Sequence, residues 1–262
     1  MPTIRTDLPA VVLDSRDHGE SDKILTLYCK DVGRLTAIAK GAHRSKKRFV
    51  NKLELFSLIT LTYSRSAPQR MAVLNEAELI ESFLPIRTSS AIFHSGSVVR
   101  ECLLLGTTEG LSDNQLFDLI AWVLQELSQH SNPREVITYF LIKLFDCIGY
   151  RPILSKCQNC GLDYPGEGEA LFSSNGGGLI CSNCIRAGNY YGRKLQAGTI
   201  QTLASIQSRP LNQLRNIRLS DPLLNESLES LFHYARYLFQ REIFSWKLFL
   251  SATAKMAGNH YR

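Results

Sequence analysis

Ile24-Leu-Thr-Leu-Tyr-Cys29-Lys-Asp-Val-Gly33-Arg34-Leu-Thr-Ala-Ile-Ala-Lys40 sets two alternating runs on either side of a short polar turn. Ile24, Thr26 and Tyr28 fall on one face of the first run and Leu25, Leu27 and Cys29 on the other, which is the period of a β-strand. Lys30-Asp31-Val32-Gly33 reads as the hairpin turn into the second run, Arg34 to Lys40. Ala10 to Leu13 gives a strand before this hairpin, and Leu55 to Tyr63 and Met71 to Asn75 give two after it. Five short strands with turns between them and no long helix suit a small closed barrel over residues 1–82. The five-stranded OB-fold is the first candidate, its second and third strands and adjoining loops being a common nucleic-acid surface; periodicity alone also admits an SH3-like barrel.

The charge of this segment is uneven. From Val32 to Leu53 there is no Asp or Glu, while Arg34, Lys40, Arg44, Lys46, Lys47, Arg48 and Lys52 bring seven positive charges, with His43 among them. Most lie in one stretch, Gly41 to Lys52, read as a flexible loop on the barrel rim. Such a loop can neutralise backbone phosphates and release counterions without reading sequence. The bland alternative is a solvated loop that keeps the protein soluble. Tyr28, Phe49 and Phe56 are the aromatics available for base stacking, so few that phosphate contact should dominate.

Beyond Pro85 the period becomes helical. A helix is expected over Ser90 to Leu105. Ser112-Asp113-Asn114-Gln115 reads as a capping box before Leu116 to Leu127, and Asn132-Pro133-Arg134-Glu135 as a cap with an N1 proline before Val136 to Ile148. Further on, Thr199 to Ile206 is a short helix, and Asp221-Pro222 starts a long one drawn as far as Ala257, with Leu224, Leu228, Leu231, Leu238 and Phe249 at helical spacing. The aromatics of this last segment read most simply as core.

Between these helices stands Cys157-Gln-Asn-Cys160, twenty residues, then Cys181-Ser-Asn-Cys184. Each C-x-x-C places two thiolates on one tight turn, so the pair can close a tetrahedral site around zinc, one ion per chain. Four protein ligands leave no open coordination position, which makes the site structural. Glycine turns and short strands at Ala170 to Phe172 and Gly178 to Ile180 fit a ribbon. Two disulfides would suit an exported chain, and a redox motif would need one C-x-x-C beside a strand–helix unit. Cys29, Cys102 and Cys147 read as small buried side chains. The expected class is α+β: a barrel over 1–82, then a helical domain over 83–262 carrying the zinc insert at 157–184.

At 262 residues, with 44% hydrophobic and 21% charged residues and a net charge of +6, the chain can bury a large core and tolerates polyanionic partners. Asp7 and Asp14 near the start argue against a signal peptide, and Ile137 to Phe145 is too short to span a bilayer, so a cytoplasmic protein without membrane contact is expected. No H-E-x-x-H, Walker loop or nucleophile elbow occurs, no H-x-E stands as a zinc-deaminase partner to the C-x-x-C pairs, and no catalytic residue is assigned. Glu20 with Asp22 could in principle hold magnesium for a nuclease; the simpler reading is turn polarity. A protein-interaction adaptor that never meets DNA is the other rival.

Gly19-Glu-Ser-Asp-Lys-Ile-Leu-Thr-Leu-Tyr28, then Gly33, then Ala39-Lys-Gly-Ala-His43-Arg-Ser-Lys46, with the helices, the cysteine quartet and the terminal helix, resemble the bacterial recombination-repair protein RecO family over nearly the whole chain. His43 stands where that family often has a second arginine, and Cys29 where threonine is frequent. The resemblance implies an OB-fold on a zinc-stabilised helical domain that catalyses no covalent reaction. It implies a mediator of recombination on the bacterial nucleoid that binds single- and double-stranded DNA, anneals complementary strands, pairs with RecR, contacts the acidic C-terminal tail of single-stranded DNA-binding protein, and so helps RecA load. That tail would need an apolar pocket beside a cation in the helical domain, with Arg100, Arg134, Lys143 and Arg151 as local candidates.

Overall fold

The computed structural model describes residues 3–67, 69–129 and 132–257. The chain divides into two compact units, residues 1–130 and 131–262.

In the first unit β1 (Thr3–His18), β2 (Asp22–Cys29), β3 (Gly33–Ala39), β4 (Leu58–Arg65) and β5 (Ala72–Glu81) close a barrel in the order β1-β2-β3-β5-β4, with β3 and β5 parallel. This is the OB-type barrel. The predicted hairpin pairs Lys23 with Ala39 through Cys29 with Gly33. Leu25, Leu27 and Cys29 enter the barrel core beside Leu35, Ala37, Ile59 and Leu61. The first strand is far longer than the four residues expected: register shifts near Arg5/Leu8 and Val12/Asp14 bend it so that it pairs with β2 on one edge and β4 on the other. Its ends are exposed and charged, so they carry no alternating signal.

Three helices belong to the same unit: α1 (Leu84–Thr88), α2 (Ser90–Gly106) and α3 (Asn114–Ser128). The N-cap of α3 is Asp113 rather than Ser112, its carboxylate accepting from the backbone N–H groups of Gln115 and Leu116 at 2.7 and 3.2 Å. The 107–113 segment lies against the β2–β3 hairpin. Tyr28 donates to the Asp113 carbonyl, Gly110 N–H to the Arg34 carbonyl, and Thr36 to Glu109. Gly33 makes this approach possible. It has φ +78°, and a Cβ there would lie 2.0 Å from the Leu111 carbonyl oxygen. Gly33→Ala should therefore destabilise the unit by about 2–4 kcal/mol, combining left-handed strain with an overpacked contact. Urea unfolding of the purified variant checks this; an unchanged midpoint would show that the segment yields freely.

The second unit holds α4 (Pro133–Cys147), β6 (Ile153–Cys157), β7 (Ala170–Ser173), β8 (Gly178–Ile180), α5 (Ser182–Ala187), β9 (Arg193–Leu195), α6 (Ala197–Ser208), α7 (Leu211–Leu214), α8 (Asp221–Phe239) and α9 (Ser245–Ala257). Asn132 caps α4 as expected, accepting from Arg134 N–H. Glu135, though, turns to the Leu219 N–H at 2.8 Å instead of completing a box. The strands form a small sheet, β6-β8-β7-β9. Tyr234 of α8 joins this sheet to the helices, its ring edge-on to Phe145 and Phe172 at 4.9 and 5.5 Å and its hydroxyl donating to the Tyr150 carbonyl. The single long helix expected from Asp221 to Ala257 is two. Gln240 takes φ +50° and ends α8, and the chain turns so that Trp246 stacks on Phe232 at 4.4 Å. Continuous helical spacing of apolar residues could not register one left-handed residue. Among the described residues no helix is long and apolar enough to cross a membrane.

Candidate nucleic-acid interface and metal centre

The basic stretch leaves β3 and crosses residues 40–57 to β4. It is anchored rather than flexible. Ala42, Phe49 and Leu53 are buried in the barrel core, and Asp22 accepts from the Gly41 N–H at 2.8 Å. That hydrogen bond, then the one from Ser21, holds the Asp22 carboxyl below the ordinary Asp value. Ala42 to Arg44 form a 3₁₀ turn, whose His43 N–H donates to the Ser21 carbonyl. With both ends and two midpoints fixed, the loop holds its charges near set positions on the rim.

The seven cations separate into two groups. Lys40, Arg44, Lys46, Lys47 and Arg48 are exposed. Arg44 keeps only a 3.8 Å contact with the exposed Glu20. Arg48 rests over the Phe49 ring and reaches the Asn75 and Lys40 carbonyls at 3.4 and 3.3 Å. The other two serve the fold. Lys52 meets both Glu78 oxygens at 3.0 Å with its side chain 16% exposed. Arg34 donates to the Leu104 carbonyl at 2.7 Å, satisfying one of the orphan acceptors at the C-terminus of α2. His43 is held by Asp17 at 2.9 Å. Tyr28, Phe49 and Phe56 are each at most 3% exposed, so none offers a ring for stacking.

In the ribbon, the four cysteine sulfurs lie within 4.8 Å of one another, the only such ligand cluster among the described residues. Cys157 and Cys184 are 3.9 Å apart, Cys160 and Cys181 3.7 Å. A disulfide needs about 2.05 Å. A tetrahedral ion with metal–sulfur bonds of about 2.3 Å spaces its sulfurs by about 3.8 Å, so the donor set and its spacing fit zinc. Cys181 N–H donates to Cys157 Sγ at 3.3 Å, and Asn159 to Cys184 Sγ at 3.2 Å. Burial opposes ionisation of Cys157, but the backbone N–H groups of Cys160, Cys181 and Asn159 outweigh it and bring this thiol to about 6. Asn159 favours a Cys184 thiolate too; there burial and three neighbouring sulfurs prevail and push the thiol up to about 12. Without a cation four thiolates cannot share this space. Burial also raises the Cys29 and Cys102 thiols, as fits side chains that only fill the core.

Arg100 is committed to the Leu13 carbonyl and Asp14 at 2.6 Å each, Arg134 to Asn225, and Lys143 to the Gln207 and Arg209 carbonyls at 2.7 Å. Arg151, paired with Asp146, borders a cavity of about 230 Å³ lined by Pro152, Ile153, Leu154 and Ala204. Sequence reading passed over Tyr190-Tyr191-Gly192-Arg193-Lys194, where β9 is too short to show a period; aromatics beside two cations were the available signal.

Family comparison matches residues 1–83 to the model described as recombination protein O N terminal, and residues 95–247 to recombination protein O C terminal. The chain is 30% identical to a protein named DNA repair protein RecO from Syntrophobacter fumaroxidans, covering 96% of this chain and 99% of that one. Proteins of the same name from Desulfitobacterium hafniense and Dehalococcoides mccartyi are 29% and 25% identical, covering 91% and 89% of this chain and 87% and 90% of their own.

Proposed function

The chain belongs to the recombination protein O family and so to DNA repair and recombination, and on that basis we propose that it binds single- and double-stranded DNA through the barrel-rim loop and anneals complementary strands. The observation that carries this reading is the row of exposed cations, Lys40, Arg44, Lys46, Lys47 and Arg48, on a loop whose Phe49 and Leu53 are set in the barrel core. A loop backbone anchored in the core loses little further entropy when its side chains meet phosphates, and phosphate contacts ignore sequence, as annealing of arbitrary strands requires. Anisotropy titrations with DNA of unrelated sequences at several salt concentrations test it. Similar affinities that fall steeply with salt are expected; salt-independent or absent binding would favour the adaptor reading.

In the same proposal, RecR and the acidic tail of single-stranded DNA-binding protein are the protein partners, and RecA loading onto coated DNA is the outcome, in the bacterial cytoplasm. Arg151, exposed beside a cavity of mixed lining in which Pro152, Ile153, Leu154 and Ala204 are joined by Ser155 and Gln207, is the local cation we assign to the tail. Zinc at Cys157, Cys160, Cys181 and Cys184 is structural, holding two knuckles whose own apolar cluster is small.

No hydrolysis of DNA or nucleotides is expected. Asp22 Oδ1 accepts from Gly41 and Ser21, a structural task, while Glu20 is a surface carboxylate whose side chain lies 3.8 Å from Arg44. Incubation of purified protein with labelled DNA and magnesium checks this; cleavage that vanishes in Glu20→Ala or Asp22→Ala would reverse it.

A further inference from the structure

The ribbon and α8 enclose a second feature, a cleft of about 630 Å³ bordered by β7, β9 and one face of the helix. Its volume lies in the range of small-ligand sites. Tyr191, 87% exposed, and Tyr237, 41% exposed, line it together with Arg193, Lys194, His233 and Asn175. Gly192 sets Tyr191 at this edge: a Cβ there would meet the Phe172 carbonyl oxygen at 2.2 Å, so only glycine lets β9 lie on β7 directly after the tyrosine.

The cleft brings together two cations, Arg193 and Lys194, and two carboxylates, Glu226 and Glu229. Arg193 is fixed between Glu229 at 2.8 Å and His233 Nε2 at 2.7 Å, where the imidazole must accept and is therefore uncharged. Glu226 accepts from the Gln196 N–H and from Thr199. Lys194 is held loosely by Glu169 at 3.4 Å, with its side chain 75% exposed. Such a site suits a neutral planar ring with one adjoining negative charge better than a peptide carrying several carboxylates. The barrel's aromatics are buried, so a ring for base stacking has to come from elsewhere.

We propose that this cleft takes an unstacked nucleobase of single-stranded DNA, with Tyr191 as its stacking face and Lys194 beside the adjoining phosphate. Asn175, whose Oδ1 accepts from Tyr237 at 2.6 Å, can offer amide N–H groups to the base edge. The inference rests on the reading of the chain as a DNA-binding protein. It adds selectivity for single strands, because a duplex keeps its bases stacked inside.

The test uses the full chain and three probes: oligothymidylate, an abasic oligomer of equal length, and duplex DNA. The parent should bind oligothymidylate more tightly than the abasic oligomer. Tyr191→Ala, at an exposed position that costs little stability, should weaken oligothymidylate binding about 5- to 100-fold and leave the other two affinities and the salt slope unchanged. Tyr191→Phe should retain parental affinity. Unchanged oligothymidylate binding by folded Tyr191→Ala overturns the proposal, as does an equal loss on the abasic oligomer. Failure of the rim-loop reading would show separately, as a rim-loop variant with the parent's salt slope.

Discussion

Replacing Arg44, Lys46, Lys47 and Arg48 together by alanine should flatten the plot of log affinity against log salt by about 3 to 4 units, at about 0.7 to 0.9 for each phosphate no longer neutralised. Near 0.1 M salt the same count implies a loss of affinity on the order of a thousandfold. All four side chains are exposed, and the loop's anchors, Ala42, Phe49, Leu53 and the Asp22–Gly41 hydrogen bond, are left in place, so the barrel should remain folded. The loss should be similar for any sequence and should extend to strand annealing. Lys52→Ala is the internal control. Its charge is already paired with Glu78, so it should lower stability slightly and leave the salt slope unchanged. A folded quadruple variant with the parent's affinity and slope would move DNA binding off this loop.

Loss of the metal should have the other large effect. Leu154, Phe172, Leu179 and Leu195 of the ribbon strands are buried, but around the cysteines the apolar cluster is mainly Cys157, Leu171, Ile180 and Cys184, too little to hold the two knuckles together on its own. Purified protein should carry about one zinc per chain. Cys157→Ser should release it and destabilise the second unit by on the order of 5 kcal/mol or more, since metal binding free energy is folding free energy in such sites. The damage should spread beyond the ribbon, because Phe172 is one of the two rings against which Tyr234 is set and Phe145 of α4 is the other. The melting temperature of that unit should fall by at least about 10 °C. Acid should act in the same direction, as protons compete with the ion for thiolate. The rim loop lies in the first unit, so protein that remains folded should keep most of its affinity for duplex DNA. Metal-free protein with all four thiols reduced and unchanged unfolding would dispose of the zinc reading.

What could be read from the sequence was whatever depends on near neighbours in the chain. Alternation placed Leu25, Leu27 and Cys29 inside the barrel and marked the turn before Gly33, and C-x-x-C spacing brought four sulfurs to one point. Asn132 with Pro133 announced α4, because a cap oxygen and the N–H that donates to it lie two residues apart. Tertiary structure decided the rest, because it depends on residues far apart in sequence. Seven cations looked alike as a charge run. Only folding brought Glu78 to Lys52 and the Leu104 carbonyl to Arg34, and so left five of the seven facing solvent. Only folding showed why glycine stands at position 33, where the Leu111 carbonyl arrives from 78 residues away. The break at Gln240 belongs here as well, since the stacking of Trp246 on Phe232 rewards a turn that helical periodicity cannot announce. Local spacing fixes which elements form and which ligands can meet, whereas the accessibility of a charge is set by whatever the closed chain packs beside it.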